Sequence, residues 1–242
     1  MQFMSSLKKF LHGLFLLLWG AAARLYAAEL LYYDDFTNGL NQWNVEQKPG
    51  GTVTATNGVL EIHDVGGGTI WFKKKLSAPV EISFQATVVD EKLPGDRVSD
   101  LNCFWMASDP KHPDNLFWVG HGRDGTFSQY DRLCTYYVGY GGNQNTTTRF
   151  RRYSGLGPKP LKPENDLRNP RFLLQPNHVY HIELEAVNGM ARFRRDREWL
   201  SEFQDPQFLN EGWFGFRFVN NHLRIQNFVV KTIPLGALPI KN

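Results

Sequence analysis

Short runs in which apolar and polar residues alternate are the feature that most constrains how this chain can fold. In the run 80–88 every second position is apolar, and these positions hold Val80, Ile82, Phe84, Ala86 and Val88. Successive side chains of a β-strand point to opposite faces, so this pattern predicts a strand that buries one face. The runs 181–187 and 213–219 repeat the pattern, while helical periodicity is nearly absent after residue 28. The sequence therefore predicts an all-β sandwich or barrel.

Residues that favour turns separate the predicted strands. Asn57-Gly58 and Asn188-Gly189 predict hairpin turns, because Asn and Gly tolerate positive φ. The segments 92–99 and 155–175 predict long loops, and strands resume in the same style after the second one. We therefore predict a single sandwich domain over residues 29–242. Its further strands are predicted at 30–36, 51–55, 59–63, 69–75, 100–107, 116–120, 134–140, 146–153, 190–196, 198–203 and 223–231.

Residues 1–28 follow the order of a secretory signal peptide. Lys8 and Lys9 precede an apolar run at 10–19, and small residues follow at 21–23 and at Ala27 and Ala28. The apolar run is too short for a transmembrane helix, which needs about 20 residues. We expect cleavage after Ala27 or Ala28 and a mature protein that is secreted or periplasmic. A buried or interfacial helix is the alternative interpretation.

The charge balance argues against a nucleic-acid partner. The whole chain has 27 basic and 24 acidic residues, and loss of residues 1–28 removes three of the basic ones. The mature chain is then neutral, whereas nucleic-acid-binding domains carry a basic footprint. The sequence has no second long apolar segment, so we expect no membrane span. The two cysteines, Cys103 and Cys134, could form a disulfide in an exported protein or could be two buried thiols.

One predicted sheet face collects side chains suited to a sugar. Alternation around Phe150 places on the opposite face Asn145, Thr147, Arg149, Arg151 and Tyr153. The strand at 213–219 likewise turns Trp213 and Arg217 away from its three phenylalanines. Arginine donates paired hydrogen bonds to carboxylates, and aromatic rings offer a flat surface to a sugar ring. We expect these arginine, asparagine and tryptophan side chains to bind an oligo- or polysaccharide. A solvated strand face is the alternative.

Three further positions carry candidate chemistry. Asp100 and Asn102 share one face at the start of a predicted strand and could contact the substrate. Asp100 could act as an acid, a base or a metal ligand, or could simply cap a turn. His121 lies in a Gly-rich loop and could transfer a proton or be merely exposed. No cofactor is expected, although the Asp34-Asp35 pair could ligate a structural calcium ion.

Several catalytic motifs are absent from the sequence. There is no Gly-x-Ser-x-Gly or His-Glu-x-x-His motif, and the glycine-rich turn at 139–142 lacks the lysine and helix of a phosphate loop. The Glu-x-Asp-x-x-Glu pattern of bacterial retaining β-glucanases is also missing. Glu183 and Glu185 are predicted on a solvated face. A two-carboxylate hydrolytic mechanism is therefore not readable from the sequence.

Four segments carry a resemblance to a known family: YDDFTNGLNQW at 33–43, RVSDLNCFW at 97–105, YGGNQNTTTRFRRY at 140–153 and GWFGFR at 212–217. They resemble a family of concanavalin A-like proteins from bacteria that degrade complex polysaccharides. The resemblance spans nearly the whole mature chain and implies a two-sheet jelly-roll sandwich. More distantly, the chain resembles keto-disaccharide hydrolases and jelly-roll polysaccharide lyases.

Three functions remain open at this point. The first is cleavage of a glycosidic bond, by elimination or hydrolysis. In an eliminating lyase, Arg149, Arg151, Arg217 and Asn145 would clamp a uronate carboxylate. The base would be one of Tyr140, Tyr153 and His121. The second function is a carbohydrate-binding module that uses the same face without a base, and the third is a structural or adhesive surface domain.

Overall fold

β-Strands pair into two antiparallel eight-stranded sheets in the computed structural model, which describes residues 27–157 and 165–234. This confirms the predicted all-β jelly-roll sandwich. The strands are β1 (Leu30–Asp34), β2 (Trp43–Gln47), β3 (Thr52–Thr56), β4 (Val59–His63), β5 (Gly68–Phe72), β6 (Leu76–Ser77), β7 (Val80–Val88), β8 (Leu101–Ser108), β9 (Cys134–Gly141), β10 (Thr147–Ser154), β11 (Asp166–Leu167), β12 (Val179–Val187), β13 (Met190–Arg195), β14 (Glu198–Gln204), β15 (Glu211–Phe218) and β16 (His222–Thr232).

The two sheets draw their strands from all along the chain. Sheet A has the order β14-β13-β12-β7-β16-β4-β3, with β1 also paired to β16. Sheet B has the order β11-β10-β9-β8-β15-β5-β2, with β6 also paired to β15. Short 3-10 helices lie at Phe127–Arg132 and Pro170–Phe172, and a helical turn lies at Gly142–Asn145. The leader predicted at 1–28 lies outside the described residues apart from its last two positions. Among the described residues, none of the helices could cross a bilayer.

The faces predicted from alternation are the faces that pack between the sheets. The five apolar residues of β7 and the three phenylalanines of β15 are at most 1% exposed. Phe216 of β15 stacks on Trp43 at 5.3 Å between ring centres and meets Phe84 of β7 edge-on at 4.8 Å. Each such buried ring contributes about 1.5–3 kcal/mol by leaving water. The turns Asn57-Gly58 and Asn188-Gly189 are hairpin turns with positive φ at both residues, as predicted.

A long connection between β8 and β9 covers part of the outer face of sheet B. We call residues 109–133 the cover segment. Leu116, Tyr130 and Leu133 of this segment join a second buried apolar cluster, whose sheet residues are Trp71, Phe104, Ala107, Tyr137, Tyr153 and Trp213. The strand predicted at 116–120 is therefore wrong. This stretch forms successive turns instead of pairing with a strand: the Phe117 amide donates to the Asn115 side chain, and the His121 amide donates to the Trp118 carbonyl.

Trp213 is the clearest case of a side chain whose environment differs from the prediction. Alternation correctly turns it away from the core between the sheets, but it is only 4% exposed. The Phe117 ring of the cover segment lies 6.1 Å from the Trp213 ring, and the Lys75 ammonium lies 5.5 Å from it. The expectation of a surface tryptophan is thus wrong, because a distant segment covers it.

A buried ion pair attaches the cover segment to sheet B. Glu46 of β2 is 5% exposed and accepts hydrogen bonds from Arg123, at 2.9–3.2 Å. The same carboxylate accepts from the Trp71 indole at 3.0 Å and from the Tyr130 hydroxyl at 2.9 Å. Both oxygens of the carboxylate accept hydrogen bonds and its charge is paired, which is the condition under which a buried charge is tolerated. Strand β2 had no sequence prediction, and its Glu46 forms this anchor.

The two cysteines do not form a disulfide. Cys103 points into the core between the sheets, and Cys134 lies at the start of β9, opposite Ser108 rather than opposite Cys103. Their separation along the paired strands β8 and β9 rules out the bond. The alternative of two buried thiols holds for Cys103, whereas Cys134 is a partly exposed free thiol. Glu183 and Glu185 also differ from expectation, because both are buried and paired with Arg194 and Arg192.

Removal of the Arg123 guanidinium should destabilise the fold strongly. Arg123→Ala would leave the Glu46 carboxylate buried without its cation, and we expect the free energy of unfolding to fall by about 3–5 kcal/mol. Urea unfolding measures this quantity. The control is Arg132→Ala in the same segment, where an exposed guanidinium makes one long contact of 3.4 Å. We expect a change within about 0.5 kcal/mol there; equal losses in both variants would contradict the assigned role.

Candidate functional site

A cleft remains on the outer face of sheet B where the cover segment ends. It has two adjoining lobes of about 300 Å³ and about 80 Å³. The two lobes share four wall residues: Asp100, Phe127, Tyr137 and Val219. Strands β8, β9, β10 and β15 supply the floor, and the loops before β8 and after β9 supply the rim. We call this space the cleft.

A row of polar positions crosses sheet B through the floor of the cleft. Cross-strand pairing aligns one residue from each of seven neighbouring strands. In order from β2 to β11 these residues are Glu46, Thr69, Arg217, Asn102, Gly139, Arg149 and Asp166. Neighbouring strands lie about 4.8 Å apart. Glu46 and Thr69 are buried, and the part of the row from Arg217 to Arg149 lines the cleft.

Gly139 keeps the middle of this row open. A Cβ atom there would lie 3.2 Å from Cε1 and 3.3 Å from the hydroxyl of Tyr137. The absence of a side chain lets the Tyr137 ring lean across the floor. Tyr137 is 7% exposed and packs against Phe104 and Phe127, with ring centres at 5.0 and 5.7 Å. Its ring and hydroxyl therefore form the boundary between the two lobes.

Four arginines face the cleft, and only two of them form an ion pair with a carboxylate of the described residues. Arg97 pairs with Asp100 at 2.6 Å, and Arg149 pairs with Asp166 at 3.0 Å. Arg151 and Arg217 pair with no carboxylate in the described part of the chain. Arg217 is 2% exposed, donates to the Gly125 carbonyl at 2.7 Å and lies over the Phe127 and Tyr130 rings.

Two buried polar atoms beside these arginines lack hydrogen-bond partners. They are Nε of Arg151 and Oδ1 of Asn102. The Asn102 amide nitrogen donates to Asp100 at 3.2 Å, which turns the amide oxygen the other way. Leaving such groups unpaired costs about 1–3 kcal/mol each. A ligand that bonds to them would recover this cost.

The electrostatics of the cleft keep Tyr137 protonated and Asp166 ionised. Burial, followed by the nearby Tyr153 and Asp100, raises the pKa of Tyr137 well above its usual range, against the opposing charges of Arg217 and Arg151. Burial would also raise the pKa of Asp166, but hydrogen bonds from Thr147, Arg168 and Arg149 outweigh it and lower that pKa to about 2. Asp166 therefore remains an anion that orients Arg149.

Strained backbone surrounds the large lobe. Asp100 has a φ of 62°, and Asn143, Gln144 and Asn145 have φ values of 51°, 57° and 59° in succession. Left-handed conformation costs a residue with a side chain about 1–2 kcal/mol, and such strain concentrates at functional sites. The turn carries Asn143 and Gln144 to the rim of the cleft.

The structure brings together five of the predicted site residues. They are Asp100, Asn102, Arg149, Arg151 and Arg217, all of which line the cleft. Asp100 is bonded to Arg97, to the Ser99 hydroxyl at 2.6 Å and to Asn102. The carboxylate therefore serves to hold the rim and the arginine, whereas a general acid or base needs free access to the substrate.

The other predicted site residues lie elsewhere. Tyr140 points into the core between the sheets, where its hydroxyl accepts from Arg195 at 3.2 Å. Tyr153 and Trp213 point outward but belong to the apolar cluster beneath the cover segment. His121 lies in the cover segment, 4.0 Å from Glu46, and Asn145 bonds to both backbone groups of Leu174 at 2.8 Å.

Sequence reasoning missed several cleft residues, of which Tyr137 and Arg97 are the most important. Tyr137 had a readable signal, because Tyr136, Val138 and Tyr140 on the core side place it on the outer side. Arg97 had none, since it reaches the cleft from a loop. The Asp34 oxygens suggested as calcium ligands accept from the Phe36 amide at 2.7 Å and the Trp43 indole at 2.8 Å, and calcium binding stays a prediction.

Comparison with known proteins places the chain in a family. A family model described as Domain of unknown function (DUF6250) matches residues 62–228, more than half of the chain. The chain is a member of the DUF6250 family. The matched region includes the strands that build the cleft floor. No curated protein matches the sequence of this DUF6250 protein.

Solved structures share the fold of this DUF6250 protein at low sequence identity. A protein with a galectin-like fold from Bacillus subtilis is 16% identical, with a TM-score of 0.65 over 86% of this chain and 100% of that one. The carbohydrate binding module CBM66 from Bacillus subtilis is 16% identical, with a TM-score of 0.54 over 80% and 97%. LamA of Z. galactanivorans, solved with laminaritriose and laminaritetraose, is 11% identical, with a TM-score of 0.52 over 84% and 98%. These likenesses establish the jelly-roll fold.

The ionised state of Asp166 should appear in the pH dependence of stability. Its pKa is lowered from 3.8 to about 2 on folding, so its contribution is present above pH 4 and is lost as the pH falls towards 2. The stability difference between wild type and Asp166→Asn should shrink by about 2 kcal/mol between pH 6 and pH 2. The control is Asp114→Asn, at a carboxylate that is 91% exposed. Parallel pH curves for wild type and Asp166→Asn would contradict the assignment.

Proposed function

We propose that the cleft binds an acidic saccharide and that Arg151 and Arg217 receive its carboxylate or a similar anionic group. The observation that carries this proposal is that these two guanidinium groups face one cleft without a carboxylate partner among the described residues. Arg217 is buried and Arg151 is half-buried, and a buried charge that lacks a counter-ion is costly. An anionic ligand supplies the missing partner, and guanidinium matches a carboxylate with two parallel hydrogen bonds.

The neutral groups of the cleft suit the rest of a sugar. Asn102 and Tyr137 line the smaller lobe and carry an amide and a hydroxyl, which are groups that hydrogen-bond to sugar hydroxyls. Tyr137 and Phe127 add flat apolar surface against which a pyranose ring packs. The arrangement therefore combines charge recognition with ring stacking, as polyhydroxylated anionic ligands require.

The structural neighbours support a role in carbohydrate recognition. One neighbour is a carbohydrate binding module, and another was solved with bound oligosaccharides. At these sequence identities a shared fold does not identify the ligand, so the ligand of this chain has to be inferred from the residues of its own cleft. We also propose that the protein acts outside the cytoplasm, because residues 1–28 have the order of a signal peptide.

Binding to matched ligands tests the proposal. Calorimetry on the mature protein should detect a uronate-containing oligosaccharide, and the same oligosaccharide with its carboxyl groups reduced to alcohols should bind at least about 10-fold more weakly. Arg151→Ala should weaken binding of the acidic form about 10- to 100-fold, because a charge-assisted hydrogen bond contributes about 1.5–3 kcal/mol. Arg151→Lys should restore only part of the loss.

The control for this experiment is Arg132→Ala, which removes an exposed arginine of the cover segment and should leave the dissociation constant unchanged. Binding should also weaken with added salt. Equal affinity for the acidic and the reduced ligand, or the same affinity in Arg151→Ala, would refute an anion site in the cleft. Circular dichroism checks that both variants are folded.

Elimination is the second candidate function, and the position of Tyr137 favours it. A lyase needs a cationic clamp on the uronate and a proton-transfer group near the bond that breaks. Arg151 and Arg217 act electrostatically on the Tyr137 hydroxyl. The raised pKa keeps the Tyr137 hydroxyl protonated, so it can donate a proton to the leaving oxygen, whereas proton abstraction needs the tyrosinate anion, which the same raised pKa disfavours. Binding without turnover is therefore the function these residues support best.

Turnover separates the two functions. Incubation with a panel of uronate polysaccharides should give no rise in the ultraviolet absorbance of an unsaturated product if the cleft only binds. If absorbance rises, Tyr137→Phe should lower kcat by at least about 100-fold, the typical contribution of acid–base catalysis, while leaving KM within a few-fold. A rise that is unchanged in Tyr137→Phe would remove Tyr137 from the mechanism.

A further inference from the structure

Three metal-ligating side chains meet on the outer face of sheet A, on the opposite side of the sandwich from the cleft. Glu61 and His63 lie two residues apart on β4, so they share a face. His222 of β16 is directly opposite His63 in the antiparallel register. The sheet therefore fixes all three side chains from rigid strands rather than from loops.

The spacing of the three ligand atoms suits a small divalent cation. Glu61 Oε1 lies 2.9 Å from Nε2 of His222 and 3.9 Å from Nε2 of His63. The two imidazole rings stack with centres 3.7 Å apart, and one ligand atom from each residue lies within 4.8 Å of the others. Ligands of a tetrahedral zinc ion bound at about 2.0–2.1 Å are separated by about 3.4 Å.

The second ring nitrogen of His222 contacts a carboxylate, as the second nitrogen of metal-binding histidines usually does. Its Nδ1 lies 3.2 Å from Oδ1 of Asp96, which leaves Nε2 directed at Glu61 and His63. The other oxygen of Asp96 accepts from the backbone amides of Glu91 and Leu93 at 2.7 and 3.2 Å, so the carboxylate is itself fixed. A carboxylate that orients a histidine in this way is the usual outer partner of a metal ligand.

We propose that Glu61, His63 and His222 bind one divalent transition-metal ion, with Asp96 as the positioning residue. Two imidazoles and one carboxylate suit zinc, and also iron and related ions. The His222 side chain is 2% exposed and that of His63 is 48% exposed, so one side of the ion faces solvent and keeps a position for water. Arg224 donates to the same Glu61 oxygen at 2.9 Å and limits the affinity by competing with the ion.

The site is connected to the rim of the cleft through two short stretches of chain. Asp96 immediately precedes Arg97, whose guanidinium donates to the Val219 and Asn220 carbonyls at 2.5 and 2.9 Å. His222 follows Asn221, whose amide donates to the Ser99 carbonyl at 2.6 Å. An ion bound here would tie β4, β16 and the loop before β8 together, and would stabilise one wall of the cleft from behind.

Zinc binding to the mature protein tests the proposal. After treatment with EDTA and dialysis, calorimetry with zinc chloride should show one saturable site per chain, and zinc should raise the melting temperature by several degrees. His63→Gln should reduce zinc affinity at least 100-fold and abolish the thermal shift. Asp96→Asn should reduce affinity about 10- to 100-fold, the usual effect of removing an outer-shell partner. Cobalt should give the visible absorption of a four-coordinate site in the wild type and not in His63→Gln.

The chain offers a closely matched control in His181. It lies on the same outer face of sheet A, its side chain is 47% exposed, and its Nε2 lies 3.1 Å from Glu183, two residues along the strand. This pair lacks a second histidine opposite, so His181→Gln should leave zinc affinity unchanged. An absence of saturable zinc and cobalt binding would overturn the proposal and leave His222 as a residue that is hydrogen-bonded between Asp96 and Glu61. Equal zinc affinity in wild type and His63→Gln would overturn it as well. Neither result bears on the saccharide cleft.

Discussion

The buried pair of Glu46 and Arg123 is the interaction on which the shape of the cleft depends. Long connections on a sandwich normally run over the surface and move. Here one carboxylate accepts hydrogen bonds from an arginine, an indole and a phenol, and the segment 109–133 is held against part of the outer face of sheet B. Charge and apolar packing act together, because the same segment buries Trp213 and Phe104. What remains uncovered is the cleft, and its end wall is Phe127 of that segment.

The two outer faces of the sandwich differ in how their charged side chains are paired. On sheet A, each buried glutamate is paired with a cation from the neighbouring strand: Glu81 with Lys231, Glu183 with Arg194 and Glu185 with Arg192. On sheet B, the row across the strands ends in carboxylates at Glu46 and Asp166, and between them Arg217 pairs with no carboxylate of the described residues. Arg151, two residues from Arg149 on β10, pairs with none of them either. A chain with a formal net charge of only +3 can therefore present a local positive site. Net charge describes the whole molecule, whereas recognition depends on which charges are left without partners.

Much of the fold could be predicted from the period of two in the sequence, and part of the site could too. Alternation correctly assigned the inward faces of β7 and β15, and it placed Arg149, Arg151 and Arg217 on one outer face. It failed where a face is buried by something distant in sequence. Trp213 and Tyr153 alternate like surface residues, yet the cover segment lies over them. Periodicity identifies the face of a strand, and only tertiary contacts decide whether that face meets water.

The pairing of β1 with β16 has a consequence for how the domain can be joined to others. Leu30 lies opposite Lys231, so the chain enters and leaves the sandwich at neighbouring points of sheet A. The cleft opens on sheet B, on the other side. A tether, tag or neighbouring module attached next to Leu30 or Lys231 would therefore start on the side of the sandwich away from the opening of the cleft. The same adjacency makes the domain a good candidate for insertion as a unit into a loop of another protein.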